Sequence, residues 1–468
     1  MRRAALATLL FASLAFPSEA LAHGIVGRTD LPIPVWLFGW AAAVVLIVSF
    51  VALGSLWPNP RLQQEIPGRR LFRLPAIADV VLGLAGLFAF GATVYAGLAG
   101  VQDAFGNLAP TMIYVVFWVG LVVASVLFGD VFRLISPWRA IARAVSWTYR
   151  TVTRREAPPA LEYPAWLGRW PAAAGILAFA FVELAYTNRD DPSQLAVMAL
   201  AYMVVMLTGM ALFGIETWSE RADPFGVYFG LYARLSPFKR RNGALYARPP
   251  LAGAPALELL PGTIALLCVA IGSTTFDGFS NGPVWSSLTP HLESFFGHLG
   301  AGAANSVMWA GLIGLAGCVL VVSGFYRVGV RGMVTVGEGH NANELAHKFA
   351  HTLLPIAFAY ALAHYFSLLV DQGQAMAHLV SDPLGHGSDI FGTAHAGIDY
   401  NVVSAKGIWY VQVGALVVGH VAGLTLAHDR AVAMYRQVQD ALRSQYWMLV
   451  VMVGFTSLGL WLLSAVNT

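Results

Sequence analysis

From Pro34 onward the chain alternates long apolar runs with short polar connections. Ten runs approach or exceed the length at which a helix spans a bilayer, about 20 residues. They cover 34–56, 75–100, 109–130, 171–187, 192–217, 257–276, 304–326, 344–371, 407–428 and 446–466. The pattern predicts an all-α fold, a polytopic membrane helix bundle forming one transmembrane domain over 23–468. Ahead of it, Arg2 and Arg3 precede an apolar stretch from Ala4 to Phe16 and the small-residue pattern Ala20-Leu21-Ala22. That is the layout of a signal peptide over 1–22. Cleavage would leave His23 first, with an amine and an imidazole able to chelate one metal; a frayed terminus is the plainer reading.

Charge orients the runs. A cleaved signal puts the mature N-terminus outside, and ten alternating spans return the C-terminus to the same side. Inner connections should then hold the lysine and arginine excess. They carry Arg61, Arg69, Arg70 and Arg73, then Arg133, Arg139, Arg143, Arg150, Arg154, Arg155 and Arg169, then Arg221, Arg234, Lys239, Arg240, Arg241 and Arg248. Outer connections of the mature chain hold Arg28, Arg189 and Lys406. This layout implies a multi-pass protein of the plasma (inner) membrane. The longest outer connection, 371–406, is Gly-rich and suits a lid over the mouth of the bundle. Two inner segments echo each other, "RLISPWR" at 133–139 and "RLSPFKR" at 234–240, each after an outward-to-inward span. A duplication would give such an echo; chance, or convergent anchoring of an interfacial turn at headgroups, is the plainer reading.

Composition agrees: 57% of the 468 residues are hydrophobic and 11% charged, against about 25% charged in soluble domains. Cys268 and Cys318 lie inside apolar runs and read as small packing residues. No nucleotide-binding loop or nucleophile elbow is present, and topology explains the basic clusters without nucleic acid.

Candidate chemistry sits late in the chain. Nine of the twelve histidines fall between His340 and His428. Ionisable groups within spans usually face the bundle interior and mark function. His347 and His351 share a helix face, with Glu344 three residues before His347. Counted from the inner ends of their spans, His351 and His420 come to similar depth, about 10 and 12 Å. The two spans are consecutive and antiparallel, so these rings are expected to meet, with Glu344, His347 and His428 near the inner rim and Asp79, Asp130 and Glu216 at similar depth. Three readings stay open: a divalent metal site, zinc or copper; a bis-histidine haem b; or polar residues bonding between helices. An outer set comprises Glu183, Asp277, His364 and Asp371, with His364 and Asp371 as acid–base candidates. Loop residues His291, Glu293, His298, His378, Asp382, His386, Asp389, His395 and Asp399 lie beyond it.

The segments "LLPIAFAYALAHYFSLLVDQGQ", "SDPLG", "GIWYVQVGALVVGHVAGLTLAHDRA" and "GDVFRLISPWR" resemble a family of bacterial multi-span proteins known as fenitrothion hydrolases. The resemblance covers most of the mature chain and is best over 353–435. It matches His351, His364, His420 and His428, with Gln372, Gln374, Asp399 and Gln412, to recurrent polar positions. It implies hydrolysis of an apolar organophosphorus triester to a phenol and a diester. A metal at the intramembrane histidines would polarise the phosphoryl group and activate water. Tyr365, Trp409 and Tyr410 would line a lateral approach from the bilayer. Metal transport and haem-based electron transfer are the competing expectations.

Overall fold

The structure is a computed structural model and describes residues 35–63, 68–155, 159–336 and 339–465. The signal peptide and His23 lie outside the described residues. Apolar helices occur at all ten expected segments. They are α1 (Val35–Leu56), α2 (Ala76–Ala99), α3 (Leu108–Phe128), α5 (Trp170–Leu184), α6 (Pro192–Phe213), α9 (Thr263–Ser280), α11 (Ala303–Val334), α12 (Ala342–Leu379), α13 (Ala405–Met434) and α14 (Tyr446–Ala465). Among the described residues, seven of these are long and apolar enough to cross a membrane: α2, α3, α6, α9, α11, α12 and α13. The protein is thus a mostly helical bundle suited to a bilayer.

Burial separates core from periphery. In their most apolar stretches 78% of α9 and 72% of α12 is buried, against 11% of α2. A helix that is apolar all round and enclosed by protein is central, while an equally apolar exposed one faces lipid. The helices α9 and α12 therefore form the axis. Against α12 lies α13, brought close by two glycines four residues apart. A Cβ on Gly419 would sit 2.2 Å from Ala359 Cβ, and one on Gly423 would sit 3.0 Å from the Thr352 carbonyl. Small residues at this spacing let helix backbones approach in membranes.

The arginine-rich end is more ordered than a set of solvated linkers. Helix α4 (Pro137–Thr153) starts where the Ser136 hydroxyl accepts from the Arg139 amide. After α6, Gly214 at φ 86° breaks the chain, so that helix stops four residues before the expected boundary. Two short helices follow, α7 (Ile215–Arg221) and α8 (Pro224–Tyr232). Three strands, β1 (Arg69–Arg73), β2 (Phe238–Arg241) and β3 (Ala244–Ala247), pair antiparallel in the order β1-β3-β2. The sequence reading contained neither this sheet nor α8.

At the opposite end, α10 (Pro283–His298) occupies what reads as an open loop in the sequence. Its Trp285 packs edge-on against Phe276 of α9, 5.1 Å between centroids. The 371–406 connection continues α12 to Leu379 and then turns on itself. There the Asp382 carboxylate accepts from the His386 and Gly387 amides, and Asp389 from Ser381 and the Ala394 amide.

Candidate functional site

The expected meeting of His351 and His420 does not occur. Gly423 lies against Thr352, and Gly419 against Pro355 and Ala359. In that register His420 faces Tyr360, 5.9 Å between ring centroids. His351 instead lies by Leu426, within electrostatic reach of Asp429 and Arg430. The two rings are offset by more than a turn. The cause is local: α13 does not end with its apolar run but continues through His428, Asp429 and Arg430 to Met434. The helix runs six residues past residue 428, the expected end of the span, so depths counted from there are off by more than one turn.

The other inner residues have separate partners. The His420 Nδ1 faces the Leu416 carbonyl at 2.7 Å, one turn back on its own helix. His428 lies between the Trp57 carbonyl and the Gln445 amide. His347 is exposed and contacts the Asn343 carbonyl. Glu344 pairs with Lys348 at 2.7 Å and His340 at 3.4 Å. Asp79 pairs with Arg240, and Glu216 with Arg133, Arg139 and Arg143. Among the described residues no group of three or more His, Cys, Asp or Glu side chains is placed to hold a metal ion. The set Glu344, His347, His351, His420 and His428 thus does not fit a shared metal, and His351 and His420 do not flank a common haem iron. Cys268 and Cys318 are free thiols.

Three of the four outer residues, Glu183, Asp277 and His364, come together. His364 Nε2 is 2.8 Å from Asp277 Oδ2. The Tyr365 hydroxyl donates to Glu183 Oε1 at 3.3 Å. Glu183 and Asp277 are close enough to act on one another electrostatically. Glu183, Asp277, His364 and Tyr365 are 1%, 2%, 6% and 3% exposed. Helix geometry explains the division of labour. Successive residues point about 100° apart, so α12 directs His364 to Asp277 on α9 and Tyr365 to Glu183 on α5. Asp371, the other acid–base candidate, is seven residues further, about 10 Å along the helix from His364, and the carboxylate that meets His364 is that of Asp277.

Four further residues, Trp118, Tyr228, Tyr232 and Tyr114, complete the surroundings, and the sequence alone does not single them out. Trp118 stacks on Tyr228 of α8, 4.9 Å apart and 13° from parallel. It belongs to a π-helical stretch, Met112–Gly120, within α3. There the Leu121 amide reaches back five residues to Val116, a geometry that turns side chains away from their α-helical direction and recurs at functional sites. The Tyr228 and Tyr232 hydroxyls are 3.3 Å apart and extend the polar chain along α8. In the connection between α5 and α6, Arg189 donates to the Glu183 backbone carbonyl at 3.4 Å, and the Tyr114 hydroxyl donates to the Arg189 carbonyl.

Chemically, this is a dry cluster of two carboxyls, an imidazole and phenols. Glu183 lies one residue from the end of α5 and Asp277 three from the end of α9, so each costs less than the roughly 3 kcal/mol of an ionisable side chain at the centre of a span, yet burial keeps the cost from vanishing. Packing alone needs none of them, since Leu or Phe would fill the same space. The imidazole beside a carboxylate can accept or release a proton, and the second carboxyl lies near enough to sense the change. No family profile, curated protein or solved structure matches this chain.

Proposed function

We propose that this protein is a multi-pass inner-membrane protein that takes up and passes on protons through Glu183, Asp277 and His364. Buried, mutually facing ionisable groups in a bundle core are characteristic of proton relays in pumps and transporters. The observation carrying the reading is the 2.8 Å contact between His364 and Asp277, on two different helices at the centre of the bundle. Arg189 lies on the outer side of the cluster, and the Tyr228–Tyr232 pair leads from it along α8. In this reading ten helices cross the membrane, the arginine-rich end faces the cytoplasm, and both mature termini lie outside.

The test is proton movement in sealed proteoliposomes under an imposed potential, followed by a trapped pH dye. Wild type is expected to acidify or alkalinise the lumen well above empty vesicles, and Asp277→Asn and Glu183→Gln to lose most of that flux while retaining helical content. Equal flux in wild type and both variants would refute the relay, as would wild-type vesicles no leakier than empty ones.

A second reading draws on the same contact. An imidazole oriented by a carboxylate is the arrangement a general base needs, and the resemblance to fenitrothion hydrolases would make the substrate an apolar organophosphorus triester arriving from the bilayer. His364 would then take the proton of the attacking water. Phenol release by purified protein, abolished in His364→Gln, would select this reading over the first.

A further inference from the structure

At the arginine-rich end, one face of α8 lines a cavity of about 230 Å³. Asp223, Gly226, Val227, Gly230, Leu231 and Arg234 recur at helical spacing along that face. The opposite face, Phe225, Tyr228, Phe229 and Tyr232, is buried in the core. Thus α8 is a partition between the hydrophobic interior and this chamber. Both echoing sequence segments meet here: Arg133, Ser136 and Arg139 come from the first copy and Arg234 from the second, with Arg169 completing a set of four guanidiniums. An interfacial anchor accounts for neither the convergence nor the enclosure.

The arginines are not equivalent. Arg133 is half-exposed and paired with Glu216 and Glu220. Deeper in, Arg139 and Arg169 are each 5% exposed. Arg139 bonds Glu216 and the Arg133 carbonyl, and its Nε has no partner. Arg169 bonds the Glu258 carbonyl and the Thr263 hydroxyl through Nη1, and its Nε likewise has none. Arg234 bonds the Gly253 and Ala256 carbonyls. Neither Arg169 nor Arg234 forms an ion pair with a carboxylate among the described residues. Most of the acidic lining is occupied elsewhere: Glu220 by Arg133, Asp130 by the Arg133 amide, and Asp223 by Trp138, Tyr202 and the Gly226 amide. The fourth lining carboxyl, Glu258, acts electrostatically on Arg169 and Arg234 but forms no ion pair with either among the described residues. Buried guanidinium donors with no acceptor call for one, and planar forks match the paired oxygens of phosphate.

We propose that this cavity binds a phosphate group, with Arg139, Arg169 and Arg234 as its donors and the Ser136 hydroxyl nearby. A membrane lipid headgroup and a soluble organic phosphate share that chemistry. The site is separate from the Glu183–Asp277–His364 cluster and does not rest on the proton reading.

Delipidated full-length protein in a phosphate-free maltoside detergent is titrated calorimetrically with glycerol 3-phosphate, and in parallel the same micelles with and without added phosphatidylglycerol are compared by thermal unfolding. Saturable binding of the soluble probe assigns the site to a free phosphate. Stabilisation by phosphatidylglycerol without binding of the soluble probe assigns it to lipid. Arg169→Gln is expected to weaken the response about tenfold, the scale of one charge-assisted hydrogen bond. Arg169 also holds backbone, so Gly230→Leu provides an independent variant. A Cβ there meets nothing nearer than Asp130 Oδ2 at 4.0 Å, so leucine fills the chamber while leaving every donor in place. It should lose binding with thermal stability unchanged or raised. Neither probe acting on wild type, or full binding by Gly230→Leu, would overturn the proposal.

Discussion

His420 and His364 occupy equally dry surroundings on neighbouring helices, yet they answer to different partners. His420 turns back to a carbonyl of its own helix and faces a tyrosine ring. His364 reaches across to a carboxylate on another helix, with a second carboxyl nearby. The residues after His420 extend the contrast. The fully buried Asp429 accepts from Trp57 Nε1, the Arg61 and Leu62 amides and Gln63 Nε2, which clasps the chain after α1 onto α13. Depth and burial alone therefore do not separate architecture from chemistry. What separates them is whether an ionisable group is met by neutral donors and acceptors or by another group that also titrates.

The largest effect should come from the clasp. Asp429→Ala leaves four donors without their acceptor. Hydrogen bonds to charged groups contribute roughly 1.5–3 kcal/mol each and are not additive, so a loss of at least ~3 kcal/mol is expected. Thermal unfolding in detergent measures it, and hydrogen exchange should show amides 61 and 62 released first. A variant as stable as wild type would mean the clasp is not an architectural element. The next effect sharpens the contrast between the two histidines. His420→Leu, close in volume, should stay within ~1.5 kcal/mol of wild type with proton flux intact, whereas His364→Leu should lose the flux. If the two leucine variants behaved alike, the division drawn here between the α12 and α13 histidines would fail.

Much of this arrangement was legible in the sequence. Run length located the apolar helices, seven of which among the described residues are long and apolar enough to cross a membrane, because the bilayer sets both the length and the composition of a span. Glu183, Asp277 and His364 stood out as costly residues at one depth, and they do meet. The pairing of His351 with His420 failed because depth was counted from residue 428, whereas α13 extends past it and Gly419 and Gly423 set the register. The GxxxG spacing was present in the sequence and would have shown which residues of α13 lie closest to α12. Asp371 shares a helix face with His364 in the sequence pattern, but the carboxylate that meets His364 belongs to Asp277 on α9, and which member of the outer set comes closest is a tertiary contact that spacing along one helix does not display. The sheet and α8 were missed because segments of four to nine residues carry too little periodicity. The two "RL…SP" echoes were visible, but their convergence on one cavity was not.

The smallest expected effect concerns the arginine-rich end, where charges meet charges near water. Glu216, on α7 beyond the end of α6, accepts from Arg133, Arg139 and Arg143. Partial burial pushes its carboxyl up, but the Arg139 and Arg133 guanidiniums outweigh that and hold it below its usual 4.5. A carboxyl whose folded value is depressed contributes stability that is fully present above the unfolded value and lost as pH falls through the folded one. Wild type should therefore exceed Glu216→Gln in stability at neutral pH, and the two should converge as the pH drops below 4.5. The side chain is half-exposed, so screening limits the neutral-pH difference to roughly 1 kcal/mol or less. Unfolding temperatures of both proteins across the acid range would read it. A gap that persisted at low pH would mean that Glu216 acts through packing and hydrogen bonding, and the distinction between this solvated ion network and the dry cluster around His364 would narrow accordingly.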